Sequence, residues 1–268
     1  YGTFAISSSG AWSFSLDNSK TATQALSLGQ QISETFAVRV TDEFGASADQ
    51  TVTLTITGSN DGPVVTTPAG GQLGTVREAG HFDNGAVDAG TATVSGTLTA
   101  SDVDAGATRS WSIVGTPSTT YGSIAIDAAT GVWTYTLDNT LAATQALKET
   151  QSITQTYTAR VTDDNGAYAD QTITVTINGG NDKPTISYAV GQTSGTVQED
   201  NAALITASGT LSSSDLDAGA TAAWSAPAPN GSYGTIAIDA STGVWTYTLD
   251  TSRAAVQALA EGQSVNDA

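Results

Sequence analysis

The chain has no cysteine, no methionine and a single histidine, and its 268 residues carry only 8 lysines and arginines against 26 aspartates and glutamates. Without cysteine there is no disulfide framework, no thiolate metal site and no cysteine nucleophile. One histidine leaves most nucleophile–base arrangements without their base and leaves zinc without its usual ligands. That residue, His81, lies in AGHFDNG, which has no match in the last copy of the repeat described below, and it reads as a solvated loop residue. A net charge of −18 argues against nucleic acid or an anionic membrane as partner, since both require basic surface. No apolar run approaches a membrane span and no signal peptide is visible, in a chain whose first residue already falls inside a repeat.

What the chain does have is itself, several times over. Tyr121 to Asp138 reads YGSIAIDAATGVWTYTLD, Tyr233 to Asp250 reads YGTIAIDASTGVWTYTLD, and Tyr1 to Asp17 is a third version, YGTFAISSSGAWSFSLD. Two further blocks recur: the segments ending in Asp61 and Asp182, and SDVDAG at Ser101 matched by SDLDAG at Ser214. A period of about 110–120 residues is a whole domain rather than a solenoid rung. The expected organisation is the back part of one repeat at 1–63, one complete repeat at 64–184, and the front part of a third at 185–268. The third copy lacks its last strands and should be less stable unless another segment supplies them.

Within the complete repeat, apolar and polar residues alternate with period two. Trp133, Tyr135 and Leu137 alternate with threonines, as do Tyr157, Ala159 and Val161 with Thr158 and Arg160, and Ile173, Val175 and Ile177 with threonines. This is the pattern of half-buried antiparallel strands. It predicts strand A within 64–77, B near 92–100, C near 109–114, D near 121–126, E near 132–137, F near 156–162 and G near 171–178. Seven short strands of this kind predict an all-β fold of tandem immunoglobulin-like sandwiches, with a closed barrel as the alternative. Leu141 to Glu149 predicts a short helix or a compact crossing between sheets. Trp12, Trp111, Trp133, Trp224 and Trp245 are read as core packing.

Strand direction sorts the acids. The loop after B carries Asp102 and Asp104, and the F–G turn carries Asp163, all at the N-terminal end of the sandwich. The A–B loop carries Glu78, the end of E carries Asp138, and the end of G carries Asn181 and Asp182, all at the opposite end. At the first joint Asp17, Asn60 and Asp61 therefore meet Asp102, Asp104 and Asp163. At the second, Glu78, Asp138, Asn181 and Asp182 meet Asp215 and Asp217. Facing carboxylates repel by about 1 kcal/mol per close pair even when hydrated, and a hard divalent cation turns that repulsion into a binding site. Calcium, with its 6–8 oxygen ligands, suits such a set better than magnesium. Asp and Gly also make turns unaided, and Asp127 and Asp239 are assigned to turns because Ser7 stands at their position in the first copy.

The strand GVWTYTLDN, the QAL segment, VTDDNG and the NGGND run before Pro184 resemble the VCBS repeat of large bacterial surface and secreted proteins, including RTX-type adhesins. The arrangement is also similar to the cadherin plan, with Glu78, Asp138–Asn139, Asn181-Asp182-Lys183-Pro184 and the Asp215/Asp217 pair at the calcium-binding positions. The resemblance implies extracellular, cell-surface extender modules stiffened by Ca2+ at their joints, whose partners are the neighbouring repeats. It implies no membrane insertion. Two rival readings are a carbohydrate- or ligand-binding adhesive module, using Tyr168, Tyr188 or Tyr233 on surface glycans, and a fibre in which other copies of the chain fill the unfinished third sandwich. A carboxylate pair could in principle hydrolyse a glycoside, but acids that recur at every joint speak for architecture, and the chain is not read as an enzyme.

Overall fold

A computed structural model describes residues 1–267. The chain divides into two compact units: Tyr1–Arg77, Thr91–Leu141 and Ser152–Asn178 form the first, and Glu78–Gly90, Ala142–Gln151 and the residues from Gly179 onward form the second. The division cuts across the sequence repeat. The loops and linker at one end of the complete repeat group with the third copy.

In the first unit, β1 (Gly2–Ile6) and β2 (Trp12–Leu16) make an antiparallel hairpin, followed by the single turn α1 (Thr21–Gln24). β3 (Gln31–Thr41) and β4 (Ser47–Thr57) then pair along their whole length. Next come β5 (Val64–Val65) and β6 (Leu73–Arg77); the short β7 (Gly80–His81) and β8 (Val87–Asp88) belong to the second unit. β9 (Thr93–Thr97), β10 (Ala100–Ser101), β11 (Arg109–Ile113), β12 (Gly122–Ile126) and β13 (Val132–Leu137) return to the first unit. After α2 (Ala142–Gln145), a turn of the second unit, β14 (Ser152–Asp163) and β15 (Tyr168–Asn178) form a long hairpin.

These strands build a two-sheet sandwich, with order β11-β14-β15-β6 in one sheet and β12-β13-β9 in the other. The seven expected strands are present. Strand A differs from expectation: it is two pieces, β5 paired antiparallel with β10 and β6 paired parallel with β15. The reason is local. Pro68 has no N–H to donate, Gly70 sits at φ 94, and the chain turns there, with Gly71 N–H donating to the Pro68 carbonyl at 3.0 Å.

The alternating pattern delivers a dry core. Val76, Trp133, Tyr135, Ala159, Val161, Ile173, Val175 and Ile177 are fully buried. The Trp133 Nε1–H donates to the Gly71 carbonyl at 2.8 Å, which satisfies the one polar atom of a buried indole. A side chain at Gly96 would meet that ring at 2.7 Å, so only glycine leaves it room. Tyr135 and Tyr157 share Gln155 Oε1 as acceptor, at 2.9 and 2.7 Å.

In the second unit, β16 (Thr185–Ser187) pairs with β18 (Ser212–Ser214), and β17 (Thr206–Thr210), β20 (Val244–Leu249) and β19 (Gly234–Ile238) form a three-stranded sheet, followed by the turn α3 (Ala254–Gln257). Trp245 repeats the role of Trp133, with Nε1–H on the Gln192 carbonyl at 2.7 Å.

Trp111, Trp133 and Trp245 are core residues as expected, and Trp224 is half-buried. Trp12 is not core: it is 48% exposed and stacks on Phe4. Among the described residues, no helix is long and apolar enough to cross a membrane.

This packing sets an expectation. Trp133→Ala should cost about 3–5 kcal/mol of unfolding free energy in chemical denaturation. Trp12→Ala should cost at most about 1.5 kcal/mol, the scale of a single aromatic pair.

Candidate metal centres at the repeat joints

The first joint lies wholly within the first unit, where backbone contacts align it. Ala105 N–H donates to the Ala25 carbonyl at 3.1 Å, and Ser27 Oγ donates to the Ala105 carbonyl at 2.8 Å. These contacts hold the SDVDAG loop against the end of the first copy. On that loop Asp102 Oδ1 accepts from Asp104 N–H at 3.0 Å, which curls the loop into an Asx turn. Asp104 Oδ2 accepts from Asp61 N–H at 2.9 Å. Asn60 Nδ2 donates to Asp163 Oδ2 at 2.9 Å, and Asp163 Oδ1 accepts from Asn165 and Ala167 N–H across the β14–β15 turn. The Asn60 amide, ahead of those turn N–H groups, holds the Asp163 carboxyl below its ordinary range although burial opposes it.

The second joint lies wholly within the second unit and repeats this pattern. Asp215 Oδ1 accepts from Asp217 N–H at 3.0 Å, and Asp217 Oδ2 accepts from Asp182 N–H at 3.0 Å. Ala218 N–H donates to the Ala146 carbonyl at 3.2 Å, the counterpart of the Ala105–Ala25 bond. Glu78 is added here and is completely buried. Its Oε2 accepts from Gly180 N–H at 3.1 Å and its Oε1 from Gln145 Nε2 at 3.1 Å. Burial pushes the Glu78 carboxyl up to about 7, the Gly180 N–H works against that rise, and the charges of Asp182 and Asp217 add to it. Asp182 is raised by burial first, then by Asp217 and Asp215, with His81 acting in the opposite sense. A cavity of about 380 Å³ is lined by Asn181, Asp182, Asp215 and Asp217 together with Lys148 and Glu149.

The other oxygens of these aspartates are the telling ones. Asp102 Oδ2 and Asp104 Oδ1 at the first joint, and Asp182 Oδ2 and Asp217 Oδ1 at the second, are buried without any hydrogen-bond partner. In each DxD segment the second aspartate spends Oδ2 on a linker N–H and leaves Oδ1 bare. A bare buried carboxylate oxygen costs about 1–3 kcal/mol or more, and native structures supply a donor or a cation to offset it. The donors here are all hard oxygens, the ligand class of calcium. Among the described residues, no three His, Cys, Asp or Glu side chains are drawn together as a finished metal site. A shell would therefore also need amide, carbonyl and water oxygens.

Two sequence candidates stay with local partners. Asp17 Oδ1 accepts from Ser19 N–H and Oγ, and Asp138 Oδ1 from Thr140 N–H and Oγ1. Both carboxyls lie below their usual range, chiefly through those hydroxyls. Asp127 and Asp239 are turn residues as assigned, with Thr130 and Thr242 as partners.

His81 overturns the solvated-loop expectation. It is half-buried in β7, its N–H bonds to the Asn181 carbonyl at 2.6 Å, and its Nδ1 is buried. The Asn84-Gly85 pair ahead of Val87 is an ordinary hairpin signal that marks this element in the sequence. Gln145 and Gly180, which hold Glu78, carry no such signal. Of the tyrosines considered for sugar binding, Tyr168 is exposed, but the Arg160 guanidinium lies 3.6 Å over its ring. Tyr188 is exposed and Tyr233 half-buried.

Residues 60–179 match the family model of the bacterial cadherin-like domain. Among solved structures, PcdhgB3 EC1-4 is 16% identical over 96% of this chain and 57% of that one, with a TM-score of 0.47. Mouse cadherin-23 EC22-24 is 16% identical over 93% and 72%, with a TM-score of 0.46. Drosophila N-cadherin EC1-4 is 15% identical over 92% and 56%, with a TM-score of 0.39. This chain thus spans little more than half of the PcdhgB3 and N-cadherin chains. No curated protein matches it.

The raised Glu78 carboxyl gives a pH dependence of known sign. In chelator, the folded state keeps a proton that the unfolded chain, with a carboxyl near 4.5, releases. That stabilisation is complete below about pH 4.5 and is lost as pH rises through about 7. Thermal unfolding in chelator should therefore show falling stability over this window. Glu78→Gln, neutral at every pH, should flatten the fall, and an equally steep fall in the variant would refute the assignment.

Proposed function

With residues 60–179 taken as a bacterial cadherin-like domain, we propose that the chain is a run of extracellular spacer repeats on a bacterial surface protein, stiffened by calcium bound at the joints. The complete repeat on this reading is 64–184, flanked by parts of two others. The observation that carries it is the bare, buried carboxylate oxygens at both joints, with Oδ1 of the second aspartate, Asp104 or Asp217, recurring in each DxD segment. The bacterial cadherin-like domain is a non-catalytic family, and the acids serve here as ligands.

At the first joint, Asp102 and Asp104 would hold the ion, with Asn60, Asp61 and Asp163 beside them. At the second, Glu78, Asn181, Asp182, Asp215 and Asp217 would do so. Asp17, turned toward the Ser19 hydroxyl, would join at the first joint by rotating. The ion supplies positive charge alone. It neutralises the mutual repulsion of the acids and gives the bare oxygens a partner, so each joint is held more tightly when it binds. Exposure to a calcium-rich medium would then couple stiffness to secretion.

Calcium at about a hundred times its dissociation constant should stabilise the folded chain by about 2.7 kcal/mol per site. This would be read as a higher melting temperature than in chelator, with small-angle scattering reporting a narrower range of lengths. Magnesium should achieve less. Asp215→Ala with Asp217→Ala should abolish the response at the second joint while leaving the β6–β15 sandwich folded. Identical melting and scattering with calcium and with chelator would sink the proposal.

A further inference from the structure

The segment after strand A is longer in the second copy than in the third. Gly96 lies 18 positions after Glu78, whereas Gly209 lies 10 after Glu199. The two glycines are equivalent, since a Cβ on either would sit 2.7 Å from the indole nitrogen of its own tryptophan, Trp133 or Trp245. The difference of 18 less 10, eight residues, is spent on the β7–β8 hairpin. Phe82 N–H to the Ala86 carbonyl at 2.9 Å and Asn84 Oδ1 accepting from Ala86 N–H at 2.9 Å close it. Gly85 at φ 78 makes its turn.

This hairpin pairs with the linker. His81 and Asn181 form an antiparallel bridge, with His81 N–H on the Asn181 carbonyl at 2.6 Å. Gly80 lies so close that a Cβ there would meet the Asn181 oxygen at 2.4 Å. The same stretch is tied elsewhere by Gly180 N–H on Glu78 Oε2 and by Gly179 N–H on the Gln151 carbonyl at 2.9 Å. Three successive linker residues, two of them glycines, are thus fastened by protein groups alone.

We propose that the β7–β8 hairpin is a clamp that sets the Gly179–Asp182 linker in its ion-receiving conformation before an ion arrives, making Gly80 and His81 positioning residues for the second joint. This rests on the calcium reading above and deepens it. Glycine linkers lose the most freedom on ordering. A linker ordered in advance spares that loss at the binding step. Ordering one backbone residue changes an equilibrium roughly 5- to 30-fold, and that is the effect the clamp should have on calcium affinity.

The test uses the whole chain in an Asp104→Ala background, which silences the first joint. Two variants break the clamp: Gly80→Val, which cannot approach Asn181, and a graft in which residues 79–95 are replaced by their third-copy counterpart, 200–208. Calcium titration should show affinity falling roughly 5- to 30-fold in both. In chelator, hydrogen exchange at the Gly180 amide should be slow in the parent and at least about tenfold faster in both variants. Unchanged affinity in both, or a Gly180 amide that exchanges freely in the parent, overturns the clamp. If the parent takes up no calcium, the calcium reading fails separately: loss of Gly180 protection in the variants still upholds the clamp, and its retention overturns it.

Discussion

A carboxylate oxygen removed from water must find a hydrogen-bond donor, a proton or a cation, and both joints of this chain are organised around that requirement. Asp104 and Asp217 each commit one oxygen to the N–H of the linker aspartate, Asp61 or Asp182. That bond fixes where the linker runs and pulls the second oxygen out of solvent. The group that positions the backbone is therefore the group left wanting a ligand. Removing either side chain, Asp104 or Asp217, would leave its linker N–H unpaired.

The two joints meet the requirement differently. At the first, Asp163 is held in its charged form by hydrogen bonds from the Asn60 amide and two turn N–H groups. At the second, Glu78 is fully buried beside Asp182 and Asp217, and without a cation it is driven toward its protonated form. Desolvation is the larger cause at Glu78, and hydrogen bonding is the larger cause at Asp163. Carboxylates in different settings, one in the A–B loop and one in the F–G turn, thus shift in opposite directions.

Much of this was legible in the sequence, because strand alternation reports burial directly. Trp133, Tyr135, Ile173, Val175 and Ile177 occupy the core that their period-two spacing implied, and polarity carried Asp102, Asp104, Asn60, Asp61 and Asp163 to one joint. Three things were hidden. The switch of strand A between sheets depends on one proline and one positive φ. Trp12 has the sequence of a core residue but is 48% exposed and stacks on Phe4. The grip of Gln145 and Gly180 on Glu78 is a contact across 67 and 102 positions, which no local pattern encodes. Asp138 illustrates the converse limit: a motif can put an acid at the right end of a strand while a neighbouring threonine hydroxyl takes up its charge.

The parallel pairing of β6 with β15 has a mechanical consequence. The strand that enters the sandwich and the strand that leaves it lie side by side and run the same way, from Leu73 opposite Thr174 to Arg77 opposite Asn178. Tension applied through the two chain ends therefore pulls these neighbours in opposite directions along their length. Their ladder is loaded in shear, with its hydrogen bonds sharing the force, rather than peeled apart one at a time. A pull on the module's two ends thus meets all the hydrogen bonds of this ladder together.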